Sequence, residues 1–294
     1  MYAIECKNLT HYYGKKLIYE NLSFNVEEGK ILGLLGKNGT GKSTTINILN
    51  GFLQPSSGEC LIYGENSQKL SPATKMRIGF LIEGHIQYTF MNIHQIEKFY
   101  SGFYPRWNSA PYWELMSKLK VTPRQKISNM SCGQRSQVAL GLILAQDPDL
   151  LILDDFSMGL DPGYRRLFID YLREYAKAEQ KTIFTTSHII QDMERLIDDV
   201  LIMDFNRILA QQPIERFMNE FKQFVIHLEN HDTQIPETDL AVNIERVKDT
   251  IEFYTYATAD EVKGFLAANL IRYIDFREKR MSLEDAFIGL TKKY

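Results

Sequence analysis

The sequence predicts an α/β protein with a mostly parallel sheet, followed by a small α+β unit. Three observations carry this. An apolar run, Ile31-Leu32-Gly33-Leu34-Leu35, leads into a glycine-rich stretch from Gly36 to Ser43 and then into a helical pattern. Between Leu150 and Met203, short apolar or β-branched runs alternate with helical segments, the rhythm of strand–helix–strand units. Beyond Gln212-Pro213 the composition shifts to alternating strands and short capped helices.

The glycine-rich stretch has the most specific pattern. Gly36-Lys37-Asn38-Gly39-Thr40-Gly41-Lys42-Ser43 fits a glycine, four residues, then Gly-Lys-Ser. Glycines let the backbone curl and turn its N–H groups inward, so that the loop cradles phosphate oxygens. Lys42 can reach β- and γ-phosphates, and Ser43 can offer a hydroxyl to Mg²⁺. The helix predicted over Thr44–Leu53 points its N-terminus at the same place. A glycine-rich turn that binds nothing would not need a buried strand before it and a helix after it.

The whole chain bounds the function classes. Its 294 residues suffice for one large domain and a small one, and 44% apolar residues suit a globular core. A net charge of -3 gives no nucleic-acid footprint. Cys6, Cys60 and Cys132 are scattered and lack metal-ligand spacing, which points to a reduced compartment. No leader and no run of membrane-spanning length is legible. Work at a membrane would therefore need another chain to span it.

Taken in order, Ile4–Leu9 reads as an opening strand, and Leu22, Phe24 and Val26 alternate as a half-buried one. Tyr13, between them, reads on its own as an ordinary tyrosine, although such a ring could stack on adenine. Glu59–Tyr63 and Ile78–Ile82 are further strands, the latter ending at Glu83-Gly84-His85. From about Asn92 to Lys120 the pattern is helical, with Ile93, Ile96, Phe99 and Tyr100 on one face and Asn108 or Ser109 as a second cap. The region holds more aromatic residues than its own core needs. A small helical subdomain and a docking surface for a partner chain are equally good readings.

Ser131-Cys132-Gly133-Gln134 opens an apolar helix through Ala145, with Ser131 as its cap. Such a helix start is also an anion site. Leu150–Asp154 is a buried strand that delivers Asp154 and Asp155 to its C-terminal end, where ligands sit in open α/β sheets. Burying carboxylates without a cation is costly, so Mg²⁺ is implied near Asp154. Gly159-Leu160-Asp161-Pro162 starts the next helix, Thr182–Thr186 is a strand ending at Ser187-His188, and Val200–Met203 is another. In the tail, Ile214–Phe221 reads as a short helix, the capping box at Thr258 opens another, and Ser282-Leu283-Glu284-Asp285 begins a last one, while Phe224–Leu228, Ile251–Phe253 and Ile271–Phe276 read as strands.

Together these motifs resemble the ATP-binding subunit of an ABC transporter, over roughly residues 1 to 215. Tyr13 falls at that family's adenine-stacking aromatic, Gly36–Ser43 at its Walker A loop, and Ser131–Gln134 at its signature motif. Leu150–Asp154 falls at Walker B, Gly159–Asp161 at the D-loop, and His188 at the switch histidine. A weaker resemblance, in Leu81-Ile82-Glu83 and the Ser282–Phe287 tail, is to the antibiotic and lantibiotic export and immunity type.

The resemblance implies a P-loop NTPase core of the ABC type over residues 1–221, with an antiparallel β layer and a helical subdomain at about 85–147. Residues 222–294 form an accessory domain. It implies ATP and Mg²⁺ as ligands. Gly36 to Thr44, Tyr13, Ser131, Gly133 and Gln134 would hold nucleotide, and Ser43, Asp154 and Glu83 the metal. Asp155, His188 and Glu83 would be catalytic. The partners are a second ATP-binding subunit, a second copy before a different ATPase, and an integral membrane subunit docked on residues 85 to 130; no nucleic acid is expected. The location is cytoplasmic, on the inner face of the cell membrane.

Four positions depart from the family. Cys132 replaces a glycine. Glu83 stands where a glutamine is usual. Asp155 replaces the glutamate that orients the attacking water, with Phe156 where proline usually follows. A carboxylate withdrawn by about an ångström costs on the order of a hundredfold in rate. A nucleotide-binding regulatory module with little turnover therefore stays open, as does a soluble ABC ATPase outside transport.

Overall fold

The computed structural model describes residues 1–81, 88–118, 122–157, 159–230 and 233–292. The chain divides into two compact units, Met1–Ile208 and Leu209–Tyr294. The expected boundary after residue 221 lies further along the chain, because Leu209–Phe221 already fall in the second unit.

The first unit runs β1 (Tyr2–Tyr13), β2 (Lys16–Glu27), β3 (Ile31–Gly36), α1 (Lys42–Leu49), β4 (Ser57–Ile62), β5 (Glu65–Asn66), α2 (Pro72–Lys75), β6 (Ile78–Leu81), α3 (Ile93–Ser101), α4 (Ser109–Lys118), α5 (Cys132–Ala145), β7 (Leu150–Asp154), α6 (Pro162–Ala178), β8 (Thr182–Thr186), α7 (Ile190–Leu196) and β9 (Asp199–Asp204). β10 (Arg207–Pro213) straddles the division. Strands β1, β2, β4 and β5 make one antiparallel sheet. Strands β9, β3, β8, β7 and β6 lie side by side in a parallel sheet.

Parallel strands covered on both faces need unbroken apolar runs. Leu150 to Leu153 and Ile31 to Leu35 supply them and are fully buried. Because β3, β8 and β7 are parallel neighbours, their C-terminal ends share one edge. Leu34 lies opposite Thr186, and Thr186 opposite Asp154. That edge therefore carries the glycine-rich loop after β3, Ser187-His188 after β8, and Asp155 after β7. At the other end of β7, Asp149 pairs with Arg77 at 2.5 Å and Arg106 at 2.8 Å, and these charges brace the loop rather than the site.

The remaining elements differ from expectation in physically intelligible ways. The first helix begins at Lys42 rather than Thr44, because the end of the loop already winds into its first turn, and it stops at Leu49 rather than Leu53. Gly51 (φ +71) breaks it there. β1 extends to Tyr13 through several register shifts that blur its alternation. On α3, Ile93 and Ile96 are buried, but Phe99 stays 38% exposed, so the aromatic end of that face does not enter the core. Ile82, at the expected end of β6, lies outside the described residues.

The second unit continues with α8 (Ile214–Glu220), β11 (Lys222–Leu228), β12 (Val242–Val247), β13 (Thr250–Thr255), α9 (Ala259–Ala268), β14 (Tyr273–Lys279) and α10 (Leu283–Thr291). Its strands form one antiparallel sheet in the order β12, β13, β11, β14. Phe224, Ile226 and Phe253 of the sheet pack with Val262 and Leu266 of α9. The expected capping box is present at Thr258–Glu261, and the last helix starts with a second one at Ser282–Asp285. Among the described residues, no helix is long and apolar enough to cross a membrane.

Candidate functional site

The loop between β3 and α1 is held open by its glycines. Gly41 sits at φ +101, and a Cβ there would come within 2.7 Å of the Tyr19 ring. Gly41 is also the N-cap of α1 and offers no side-chain cap. The first N–H groups of α1 are thus left for an outside acceptor, which suits an anion. Thr40 is buried, with its hydroxyl on the Lys37 carbonyl at 2.9 Å, while Asn38, Gly39 and Ser43 are exposed. Thr44 and Thr45 are buried, and the Thr45 hydroxyl bonds back to the Gly41 carbonyl at 3.0 Å.

Lys42 folds over this loop. Its Nζ donates to the carbonyls of Gly36 at 2.6 Å and Lys37 at 3.1 Å. The residue is only 8% exposed. Burial pulls its ammonium below the ordinary lysine value, and the Asp155 and Asp154 carboxylates pull it back up. The two acids expected from the sequence are thus electrostatically coupled to the loop cation.

Asp154 ends β7 with its carboxylate buried, and it accepts a hydrogen bond from the Thr186 hydroxyl. The chain then leaves the extended conformation. Asp155 sits at φ 45, in the left-handed region that aspartate tolerates better than most residues. This turn aims its carboxylate at His188. One oxygen accepts from the His188 backbone N–H at 2.8 Å, and the other lies 2.9 Å from His188 Nε2. His188 is exposed and Asp155 buried, so the imidazole stands between the acid and solvent.

Ser131 caps α5 as expected, in a reciprocal box with Gln134. Ser131, Gly133 and Gln134 line a cavity of about 180 Å³ with Gly159, Leu160, Asp161 and Tyr164. No phosphate-loop residue lines it. Tyr13 is half exposed at the end of β1, and its phenol lies 3.5 Å from the Thr44 hydroxyl. Glu83 lies outside the described residues. The sequence reading missed Thr186. Its signal was available: it directly precedes Ser187-His188 and ends the strand beside Asp154.

The family model described as ABC transporter matches residues 19–157. The chain is 30% identical to the Nod factor export ATP-binding protein I of Cupriavidus metallidurans, across 98% of this chain and 97% of that protein. It belongs to the ABC transporter ATP-binding proteins. The bacitracin transport ATP-binding protein BcrA of Bacillus licheniformis is 27% identical over 98% of this chain and 96% of that protein. A solved ATP-binding subunit of an ABC transporter superposes with a TM-score of 0.65 at 24% identity, covering 74% of this chain and 92% of that one.

Two departures from the ABC pattern have local explanations. At Gly133 a Cβ would meet the Gly159 carbonyl and Leu160 at 3.0 Å, so a side chain here would crowd both. At Cys132 the residue is exposed, and its sulfur runs past Gly159, so a side chain is accommodated. Phe156, in place of proline, is 3% exposed and stacks on Phe168 of α6 at 5.8 Å. It anchors the turn after Asp155 through packing instead of ring rigidity.

Proposed function

We propose that the chain binds and hydrolyses Mg-ATP to power a membrane exporter of the antibiotic or lantibiotic kind. The carrying observation is the shared sheet edge: an uncapped helix start under a glycine loop, a buried cation at Lys42, and the Asp155–His188 pair. The names of the Nod factor export and bacitracin transport relatives support export.

In this reading the loop from Gly36 to Thr44 binds the phosphates, and the α1 N–H groups and Lys42 neutralise the growing charge. Ser43 and Asp154 would hold Mg²⁺, whose oxygen preference fits a hydroxyl and a carboxylate, and which spreads charge from the phosphate oxygens. Tyr13 stacks on the base. Asp155 orients the attacking water, and His188 holds Asp155 and meets the γ-phosphate. Glu83 joins the metal side. Ser131, Gly133 and Gln134 of a second copy close over the nucleotide, head to tail. Hydrolysis removes those bridging contacts, and the pair opens. Residues 1–221 do this work, and residues 222–294 are accessory.

Asp155 is one methylene shorter than the family's glutamate, so turnover is slow. The test is steady-state phosphate release by the purified chain with Mg-ATP. Release that is saturable, lost without Mg²⁺ and lost in Asp155→Asn is expected. Tight ATP binding with no release, even when the membrane partner is present, would favour the regulatory-module reading instead.

The membrane partner docks on the helical subdomain, at the inner face of the cell membrane. Phe90 and Phe103 are 67% and 62% exposed. Tyr88 and Phe99 join them in edge-to-face contacts with ring centroids 5.1 to 6.1 Å apart. Isolated exposed apolar residues are ordinary, but a contiguous aromatic patch marks a contact surface. Phe90→Glu with Phe103→Glu is expected to weaken co-purification of the membrane subunit by about tenfold or more, while ATP turnover of the isolated chain is unchanged. Retained co-purification would place the docking surface elsewhere.

A further inference from the structure

We infer that His11 is a positioning residue for the base half of the nucleotide site: its buried ring holds Tyr13 in the orientation that stacks on adenine. The inference rests on the reading of Tyr13 given above. His11 and Tyr13 lie two residues apart at the end of β1. Their rings meet edge to face, with centroids 4.8 Å apart at 81°. Tyr13 itself is 49% exposed, so much of its surface is free of protein contact. The Thr44 hydroxyl, 3.5 Å from the phenol oxygen, gives it a second handle. Thr44 belongs to the first turn of α1, beside Ser43. One contact thus ties the tyrosine to the phosphate helix, and the other ties it to the antiparallel layer.

The state of the His11 ring narrows what it can do. It is 5% exposed, and neither ring nitrogen has a hydrogen-bond partner among the described residues. Burial lowers its pKa from the ordinary histidine value, because a charged ring there would lose its hydration. A neutral imidazole with both nitrogens unengaged makes no directional bond and carries no charge. It acts as a flat wall. An edge-to-face pair of this kind fixes the angle of the exposed ring, and so the plane it presents to a base. The unpaired nitrogens themselves cost stability, so an apolar ring at the same place should serve the wall as well.

The full chain with Mg²⁺ tests this by calorimetry with two probes, ATP and inorganic triphosphate. Triphosphate reports the phosphate loop alone, and the ratio of the two affinities reports the base. His11→Leu fills the volume without a ring. It is expected to weaken ATP binding by about three- to tenfold, the worth of an aromatic pair, and to leave triphosphate binding unchanged. His11→Phe restores the ring and is expected to restore the ratio. An unchanged ratio in His11→Leu, equal losses for both probes, or no rescue by His11→Phe overturns the inference. Tyr13→Ala is measured alongside. If it leaves the ratio unchanged, the stacking reading of Tyr13 falls. If it lowers the ratio and His11→Leu does not, the His11 inference alone falls.

Discussion

Lys42→Ala is expected to weaken ATP binding by at least about a hundredfold, which corresponds to roughly 2.7 kcal/mol. The size follows from three roles that one ammonium fills. Its ammonium is electrostatically coupled to both Asp154 and Asp155. Removing it leaves those buried carboxylates facing an incoming polyanion with less compensation. It also donates to the carbonyls of Gly36 and Lys37, and so sets the curl of the loop before any nucleotide arrives. Finally, hydrogen bonds from a charged donor are worth about 1.5 to 3 kcal/mol, more than neutral ones. Lys42→Arg should rescue little, because a planar fork does not fit a point-charge position at two loop carbonyls. Titration of a fluorescent ATP analogue measures the effect, and near-native affinity in Lys42→Ala would refute the assignment of the phosphate loop. A modest drop in melting temperature should accompany the loss, since two loop carbonyls lose their donor.

The parts of the site that follow from backbone logic were legible in the sequence. A glycine loop must sit between a strand and a helix to bind phosphate, and the apolar run before Gly36 with the periodic segment after Ser43 could hardly be arranged otherwise. Leu150–Asp154 and Thr182–Thr186 were readable to the residue, because unbroken apolar or β-branched runs of that length are buried parallel strands. Ser131 announced a capped helix start, and the structure has the full reciprocal box. What escaped was set by tertiary contact. Nothing in Asp154-Asp155-Phe156 signals that the chain turns left-handed at the second acid, since that turn is held by a bond to the Thr186 carbonyl and by His188. Val242–Val247 carries charges at Glu245 and Arg246 on a partly exposed edge, so no clean alternation marks it as a strand. Nothing in the sequence marks His11, which is singled out only by its ring contact with Tyr13 in the fold.

Asp155→Asn is expected to lower kcat by about a hundred- to ten-thousandfold, the range a positioned general base contributes, and to leave ATP affinity close to native. The substitution keeps an oxygen for the His188 backbone N–H but removes the negative charge that orients and polarises a water. Asp155→Glu is the sharper variant. The carboxylate of Asp155 is buried and engaged on both oxygens by His188. An added methylene would carry it past the imidazole toward the phosphate side. The expected result is a rise in kcat of about tenfold, part of the roughly hundredfold that an ångström of misplacement costs. The left-handed turn sets a limit, because glutamate tolerates φ 45 less well than aspartate, and some stability should be lost in exchange. If Asp155→Glu is instead slower than native, the turn at Asp155 already brings the shorter acid into place, and the backbone here has been shaped around aspartate. Phosphate release and melting temperature, measured together on both variants, separate a chemical effect from a loosened fold. In either case, turnover by the isolated native chain that is lost in Asp155→Asn would mean that two copies form the working pair and that Asp155 does the work of the usual glutamate.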